Sequence, residues 1–276
     1  MTSVGVLGPG RAGVGIALAL ARAGLDVFVY GRSPRPLPPE LTAVWGTLPR
    51  RLSEVDLVLL AVPDDAVFGV ARDLAATGFV GRRHTVLHLS GVLDRAALLS
   101  LDHSGAALGS LHPLQTFTDP ESAPARLRGA VATVEGDDRA VASGERLARI
   151  LGLRPIRIAG ESKIRYHAGA VFASNYIVAV AEVARQILVE AGLPPEAAWQ
   201  GLQGLIRGTF ESLVAGAPVT ALTGPISRGD VATVRKHLAA LGGEQASLYR
   251  ALGRVALGLA TLDSDRRSEL ERALKA

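Results

Sequence analysis

"SVGVLGPGRAGVGIALALARAGLDVFVY", residues 3–30, decides the fold. A β-branched run (3–8) breaks at glycines, a helical pattern carries on to Gly24, and a second β-branched run (26–30) follows. Strand, tight turn, helix and strand make the unit of a parallel sheet, because parallel neighbours need a long crossover. The pattern repeats through "VDLVLLAVP" (55–63), a helix over 65–76, "HTVLHLS" (84–90), "AALGSLH" (106–112), "AVATVEG" (130–136), a helix over 138–151 and "RPIRIA" (154–159). Short buried runs alternating with helices predict a doubly wound α/β domain whose parallel sheet is covered on both faces. After Glu161 the strand signals stop, and helices are expected over 163–191, 195–214, 230–241, 244–261 and 264–274. The change places a domain boundary near residue 160, with an α/β domain over 1–160 and an all-helical domain over 161–276.

Composition bounds what such a chain does. Its 276 residues suit two domains better than one, and 48% apolar with 20% charged residues is a globular composition. With no cysteine, disulfides, thiolate nucleophiles and cysteine metal sites are excluded. No uninterrupted apolar run reaches about 18 residues and "MTSVGVLG" enters a strand directly, so neither a membrane span nor a signal peptide is expected, and the cytoplasm is the expected compartment. The net charge of +4 comes from dispersed arginines, without the basic helix or aromatic strand that nucleic-acid recognition uses. A small anionic substrate is the partner this charge favours. No pair among the six histidines has zinc-like spacing, so no metal is expected.

"GPGRAG" sets Gly8, Gly10 and Gly13 at the first strand-to-helix junction, with Pro9, Arg11 and Ala12 between them. Gly8 permits the tight turn, Gly10 lets backbone approach a pyrophosphate, and Gly13 lets helix pack on strand. The helix N-terminus adds amide donors, so a dinucleotide is expected here. Where an NAD-binding chain ends its second strand with an acid, this one has Gly31, followed by Arg32 and Ser33. A missing carboxylate and an added guanidinium favour NADP(H) over NAD(H), since a 2′-phosphate suits a planar fork of donors. Ala61, Val62 and Pro63 end the next predicted strand, and Ser90 ends the one after, on the edge where ligands of open sheets bind.

These residues resemble the superfamily of reductases that join a Rossmann domain to an all-helical domain, including ketopantoate reductase, β-hydroxyacid dehydrogenases, pyrroline-5-carboxylate reductase and prephenate dehydrogenase. Within it, "SLHPLQTF" (110–117), "KIRYHAGAVFASNY" (163–176) and "LTGPISRGD" (222–230) resemble the blocks of the Rossmann-like/DUF2520 family of oxidoreductases. The resemblance implies a Rossmann-type domain followed by a helical domain like the C-terminal domain of 6-phosphogluconate dehydrogenase, which also forms a homodimer. It implies an NADP(H)-dependent oxidoreductase reducing a small, ketopantoate-like 2-oxo acid. A prephenate-type dehydrogenase, a cyclic-imine reductase and a non-catalytic NADP-binding sensor remain open alternatives. By similarity Lys163 matches the proton-donating lysine of ketoacid reductases. His167 stands where they carry an asparagine, so that role does not transfer.

The helix over 163–191 carries its own signal. At about 100° per residue, His167, Ala170 and Ser174 fall within about 40° of Lys163, while Asn175 lies near 120°. Lys163 is the expected acid or electrostatic stabiliser, and His167 the relay or alternative acid, since histidine ordinarily titrates at about 6.5. Ser174 and Asn175 would orient substrate oxygen. His112 ends a strand on the ligand edge and reads as a structural histidine or a functional one; its "HP" turn resembles that of prephenate dehydrogenases, which implies a place beside the nicotinamide.

Overall fold

The computed structural model describes residues 2–275. Eight strands form one sheet: β1 (Ser3–Leu7), β2 (Asp26–Gly31), β3 (Thr42–Trp45), β4 (Leu57–Leu60), β5 (Thr85–His88), β6 (Ala107–Pro113), β7 (Val131–Gly136) and β8 (Arg154–Arg157). Their order is 3-2-1-4-5-6-7-8. The helices are α1 (Arg11–Arg22), α2 (Asp64–Thr77), α3 (Ala123–Leu127), α4 (Asp138–Ile150), α5 (Lys163–Ala173), α6 (Asn175–Glu190), α7 (Pro195–Ala215), α8 (Pro218–Ala221), α9 (Val231–Ala240), α10 (Gly243–Leu259) and α11 (Ser264–Lys275). The 3-10 turns Arg95–Ser104 and Gly160–Ser162 link β5 to β6 and β8 to α5.

Both faces of the sheet are covered, as the apolar runs predict. One core holds Ile16, Leu18 and Leu20 of α1 and Leu147 of α4 against Val4, Val6, Leu59 and Leu87. The other holds Val67 and Leu74 of α2 and Leu98 against Val58, Val86 and Leu108. Each such side chain, fully withdrawn from water, contributes about 1.5–3 kcal/mol.

Two elements differ from the sequence expectation. β3 was not anticipated, because "TAVW" is only four residues long and follows a proline-rich stretch. β7 pairs antiparallel with β6, so the sheet is mixed rather than parallel throughout. The link between these strands holds only the five-residue α3 and makes no full helical crossover, so the chain returns in the opposite direction.

The chain divides into compact units at Met1–Ser174 and Asn175–Ala276. The boundary therefore falls past α5 and not near 160. The physical reason is Lys163, which opens α5 and buries its side chain in the α/β unit. The single helix expected over 163–191 is broken at Ser174, whose φ of −130° and ψ of −74° end α5 before Asn175 begins α6.

In the second unit Val231, Val234, Leu257, Leu270 and Leu274 form the core among α9, α10 and α11. Asp230 caps α9, accepting from the Thr233 amide at 3.0 Å and its hydroxyl at 2.7 Å. α6 packs along α7 yet has no buried residue. In α5 only Lys163 is buried, whereas Ile164 and Phe172 of α5 and Val178 of α6 are exposed. Gly160–Glu190 is also long and apolar enough by composition to cross a membrane, with a mean hydropathy of 1.2 over its best window. Counting uninterrupted apolar runs misses it because Lys163, Arg165 and His167 punctuate its start.

Candidate active site

The glycine loop comes first in the chain and in the site. Gly8 has φ +120°, and a Cβ there would lie 2.3 Å from the Ala61 carbonyl oxygen. A Cβ on Gly13 would lie 2.1 Å from the Gly8 carbonyl oxygen. Gly10, the N-cap of α1, has no atom within 4 Å of where a Cβ would stand. Two glycines therefore hold the loop against β4, and the third leaves its outer surface open to a ligand. Gly10→Ala is expected to leave the melting temperature unchanged while weakening dinucleotide binding about tenfold or more, measured by calorimetry. Equal affinity in the two proteins would remove the loop from the site.

Pro9, Gly10, Arg11 and Val14 line a groove of about 430 Å³ together with Arg35 to Pro38 and with Pro120 and Glu121, whose carboxylate is paired with Arg22 at 3.1 Å. Arg32 and Ser33 are exposed beside it, and Ala12 is half-buried. Gly31 has a packing cause besides the electrostatic one: a Cβ there would lie 2.7 Å from both Pro9 and Trp45. Ala61 and Val62 are half-buried against the loop, and Pro63 is the exposed N-cap of α2.

Across β5, β6 and the antiparallel β7 one face of the sheet turns polar. His88 pairs with Ser110 and Ser110 with Glu135, so the three side chains lie in a row on one face. Lys163 enters this row from α5 and is fully buried. Its Nζ donates to the Ser90 carbonyl at 3.0 Å and to Ser110 Oγ at 2.7 Å. Ser110 in turn donates to Glu135 Oε2 at 3.1 Å, and the Arg95 amide donates to Oε1 at 3.1 Å. An ammonium has three N–H donors, so one remains uncommitted among the described residues. Burial pushes the Lys163 amine down to about 8, against the opposing pull of Glu135, Asp94 and Asp64.

His112 lies two residues beyond Ser110 on the same face. Its Nδ1 is 2.9 Å from the Tyr166 hydroxyl, and its ring packs edge-on against His167 at 5.8 Å. Burial, together with the charges of Lys163 and His167, lowers His112 to about 4, so it is neutral at pH 7. Burial raises the Tyr166 hydroxyl above its ordinary value. Gly91 makes the cluster possible, since a Cβ there would lie 2.4 Å from His167 Cδ2 and 2.9 Å from His112 Nε2.

Lys163, His167 and His112 thus lie in one cluster, with His112 touching His167 and standing two residues from the Ser110 that holds Lys163. Ser90 contributes differently: its hydroxyl accepts from the amides of Val92 and Leu93, which shapes the turn, and its carbonyl receives Lys163. Ser174 ends α5 and Asn175, exposed, starts α6. Ser110, Glu135, Tyr166 and Gly91 are site residues that sequence reasoning did not select. A signal existed for two of them: Ser110 and Glu135 are polar residues at inward positions of apolar strands.

The fold and loop define a Rossmann-type α/β protein with a helical C-terminal unit. Family models match it twice, as a Rossmann-like domain over residues 1–113 and as a domain of unknown function, DUF2520, over residues 130–256. The two matched segments follow one another along the chain and leave only 114–129 and 257–276 outside them. Protein TM1727 from Thermotoga maritima superposes with a TM-score of 0.73 at 25% identity, over 93% of this chain and 98% of that one. Plasmodium falciparum pyrroline carboxylate reductase with NADP bound gives 0.59 at 15% identity, over 99% and 96%. The reductive aminase of Aspergillus terreus in complex with NADPH and ethyl-5-oxohexanoate gives 0.61 at 18% identity, over 99% of each chain. The last two likenesses are of fold. No curated protein matches the sequence.

Proposed function

We propose that this chain is an NADP(H)-dependent oxidoreductase that reduces a small anionic 2-oxo acid of ketopantoate-like size. The carrying observation is the buried Lys163, adjusted to about 8 and linked to Ser110 and Glu135 at the sheet edge that the glycine loop also serves. The residues fit a dinucleotide: the amides at Gly10–Gly13 suit the pyrophosphate, Arg11 and Arg32 its charge, and Ser33 a 2′-phosphate. When bound, the cofactor supplies the hydride. An acid whose pKa lies near the working pH is best placed to neutralise the oxygen that forms, which selects Lys163. Neutral His112 and the Tyr166 hydroxyl serve as fixed dipoles beside it, and His167 as the relay. Ser174 and Asn175 are assigned to orienting the substrate's oxygens.

The complete burial of Lys163 equally suits a non-catalytic NADP-binding protein in which it pins α5 to the sheet. Loss of reduced-nicotinamide absorbance with NADPH and a panel of 2-oxo acids, prephenate-type substrates and cyclic imines separates these readings. Turnover on a 2-oxo acid, with NADPH preferred to NADH, is the expected result. Tight NADP⁺ binding without turnover on any panel member would make the protein a sensor.

The partner we propose for the apolar helices is a second copy of this chain, in a cytoplasmic homodimer. Val178 at 71%, Leu205 at 68% and Val214 at 86% exposure leave apolar side chains of α6 and α7 uncovered, and uncovered apolar helix faces mark protein–protein contact sites. Light scattering should give twice 28.7 kDa, and Val178→Asp should halve that mass. A wild-type monomer would refute the dimer.

A further inference from the structure

The helical unit carries a second cationic feature that the oxidoreductase reading does not use. α9, α10 and α11 send Arg235, Arg250 and Arg272 to one cavity of about 390 Å³, whose remaining lining is Leu238, Ala239 and Ala273. No acidic side chain lines it. Among the described residues none of these arginines forms an ion pair, although Arg22, Arg95 and Arg185 elsewhere are each matched with carboxylates. Arg272 reaches only the Ser268 carbonyl, at 3.4 Å. Arg250 Nε is buried without a hydrogen-bond partner.

Two of these facts stand out: the convergence of three cations on one cavity and the unpartnered donor of Arg250. Like charges brought together from separate helices repel, and a buried donor on a cation loses its hydration without a replacement. Buried unsatisfied donors are rare enough to call for an explanation, and an absent counter-ion supplies one. A guanidinium presents paired N–H groups that match phosphate oxygens two at a time, and three guanidiniums balance a dianion with charge to spare. The apolar wall of Leu238, Ala239 and Ala273 suits a carbon portion attached to that dianion.

We propose that this cavity is a binding site for a small organic phosphate, separate from the dinucleotide loop. The decisive measurement is calorimetric titration of the full chain with inorganic pyrophosphate at low ionic strength, for the wild type, Arg250→Gln and Arg272→Gln. Arg272 is exposed, so its variant keeps the fold even if Arg250→Gln does not. The expected result is a site whose affinity falls about tenfold in Arg272→Gln and weakens with added salt, while NADP⁺ binding is unchanged. Pyrophosphate held only by the glycine loop would give identical isotherms in wild type and variants, and that overturns the proposal. So does a change in the oligomer's mass in Arg272→Gln with pyrophosphate binding unaltered, which would mean that a carboxylate of a second copy is the missing counter-ion.

Discussion

Lys163→Met is expected to lower NADPH-dependent turnover by about 10²–10⁴-fold while leaving the protein no less stable than the wild type at pH 7. Two opposing effects set the stability of this variant. Removing the ammonium leaves the Ser90 carbonyl without a donor, at about 1–3 kcal/mol, while Ser110 keeps its bond to Glu135. It also removes a buried charge that the folded state disfavours, which is why the amine titrates at about 8 and not at its ordinary 10.5. That difference corresponds to roughly 3 kcal/mol. The second effect matches or exceeds the first, as expected of a group retained for chemistry at some cost in stability.

The same shift has a pH signature. Between about 8 and 10.5 the unfolded chain holds a proton on Lys163 that the folded chain has released, so the wild type gains stability as pH rises through that window. Below about 8 both states are protonated and the cost is constant. Urea midpoints at pH 7, 8.5 and 10 should rise for the wild type, and that contribution should be missing in Lys163→Met. A variant that is several kcal/mol less stable at pH 7 would show the lysine to be a structural pin.

Acid should act on the same region from the other side. His88, fully buried, and His112 both titrate at about 4 instead of 6.5, chiefly because burial disfavours the imidazolium. Between pH 6.5 and 4 the unfolded chain therefore binds protons that the folded chain does not, and stability falls with pH by on the order of 3 kcal/mol for each histidine. For His88 the mechanism is specific. The Ser90 amide donates to Nδ1 at 3.2 Å, which leaves Nε2 to donate to the Asp94 carbonyl at 3.0 Å. A second proton on Nδ1 would face the Ser90 N–H and open the turn whose carbonyl holds Lys163. Asparagine at position 88 or at position 112 should each remove about half of the acid loss. If neither changes the slope of stability against pH, the two imidazoles are not the groups responsible.

Most of the fold is legible in residue order. β-branched runs alternating with helical patterns and broken at Gly8, Gly24 and Gly31 identify the sheet and the layers around it, because those patterns act within a few residues of chain. The antiparallel β7 was hidden: an apolar strand has the same composition whichever way it runs. The glycine loop was readable because each glycine answers a local demand of the backbone. The lysine site was readable only in its members. "KIRYHAGAVFASNY" announces that polar groups share one side of a helix but not what they meet.

What the sequence by itself determined is therefore local: strand, loop and helix, the three glycines, the missing acid after β2 and the lysine with its histidine neighbours. Only the tertiary structure decided that Lys163 is buried with Ser110 and Glu135 instead of facing solvent, that Ser90 serves through its carbonyl, and that α5 groups with the sheet. The physical reason is that these outcomes depend on strand register and on the desolvation of one ammonium among partners 53 and 73 positions away, which no spacing along the chain encodes.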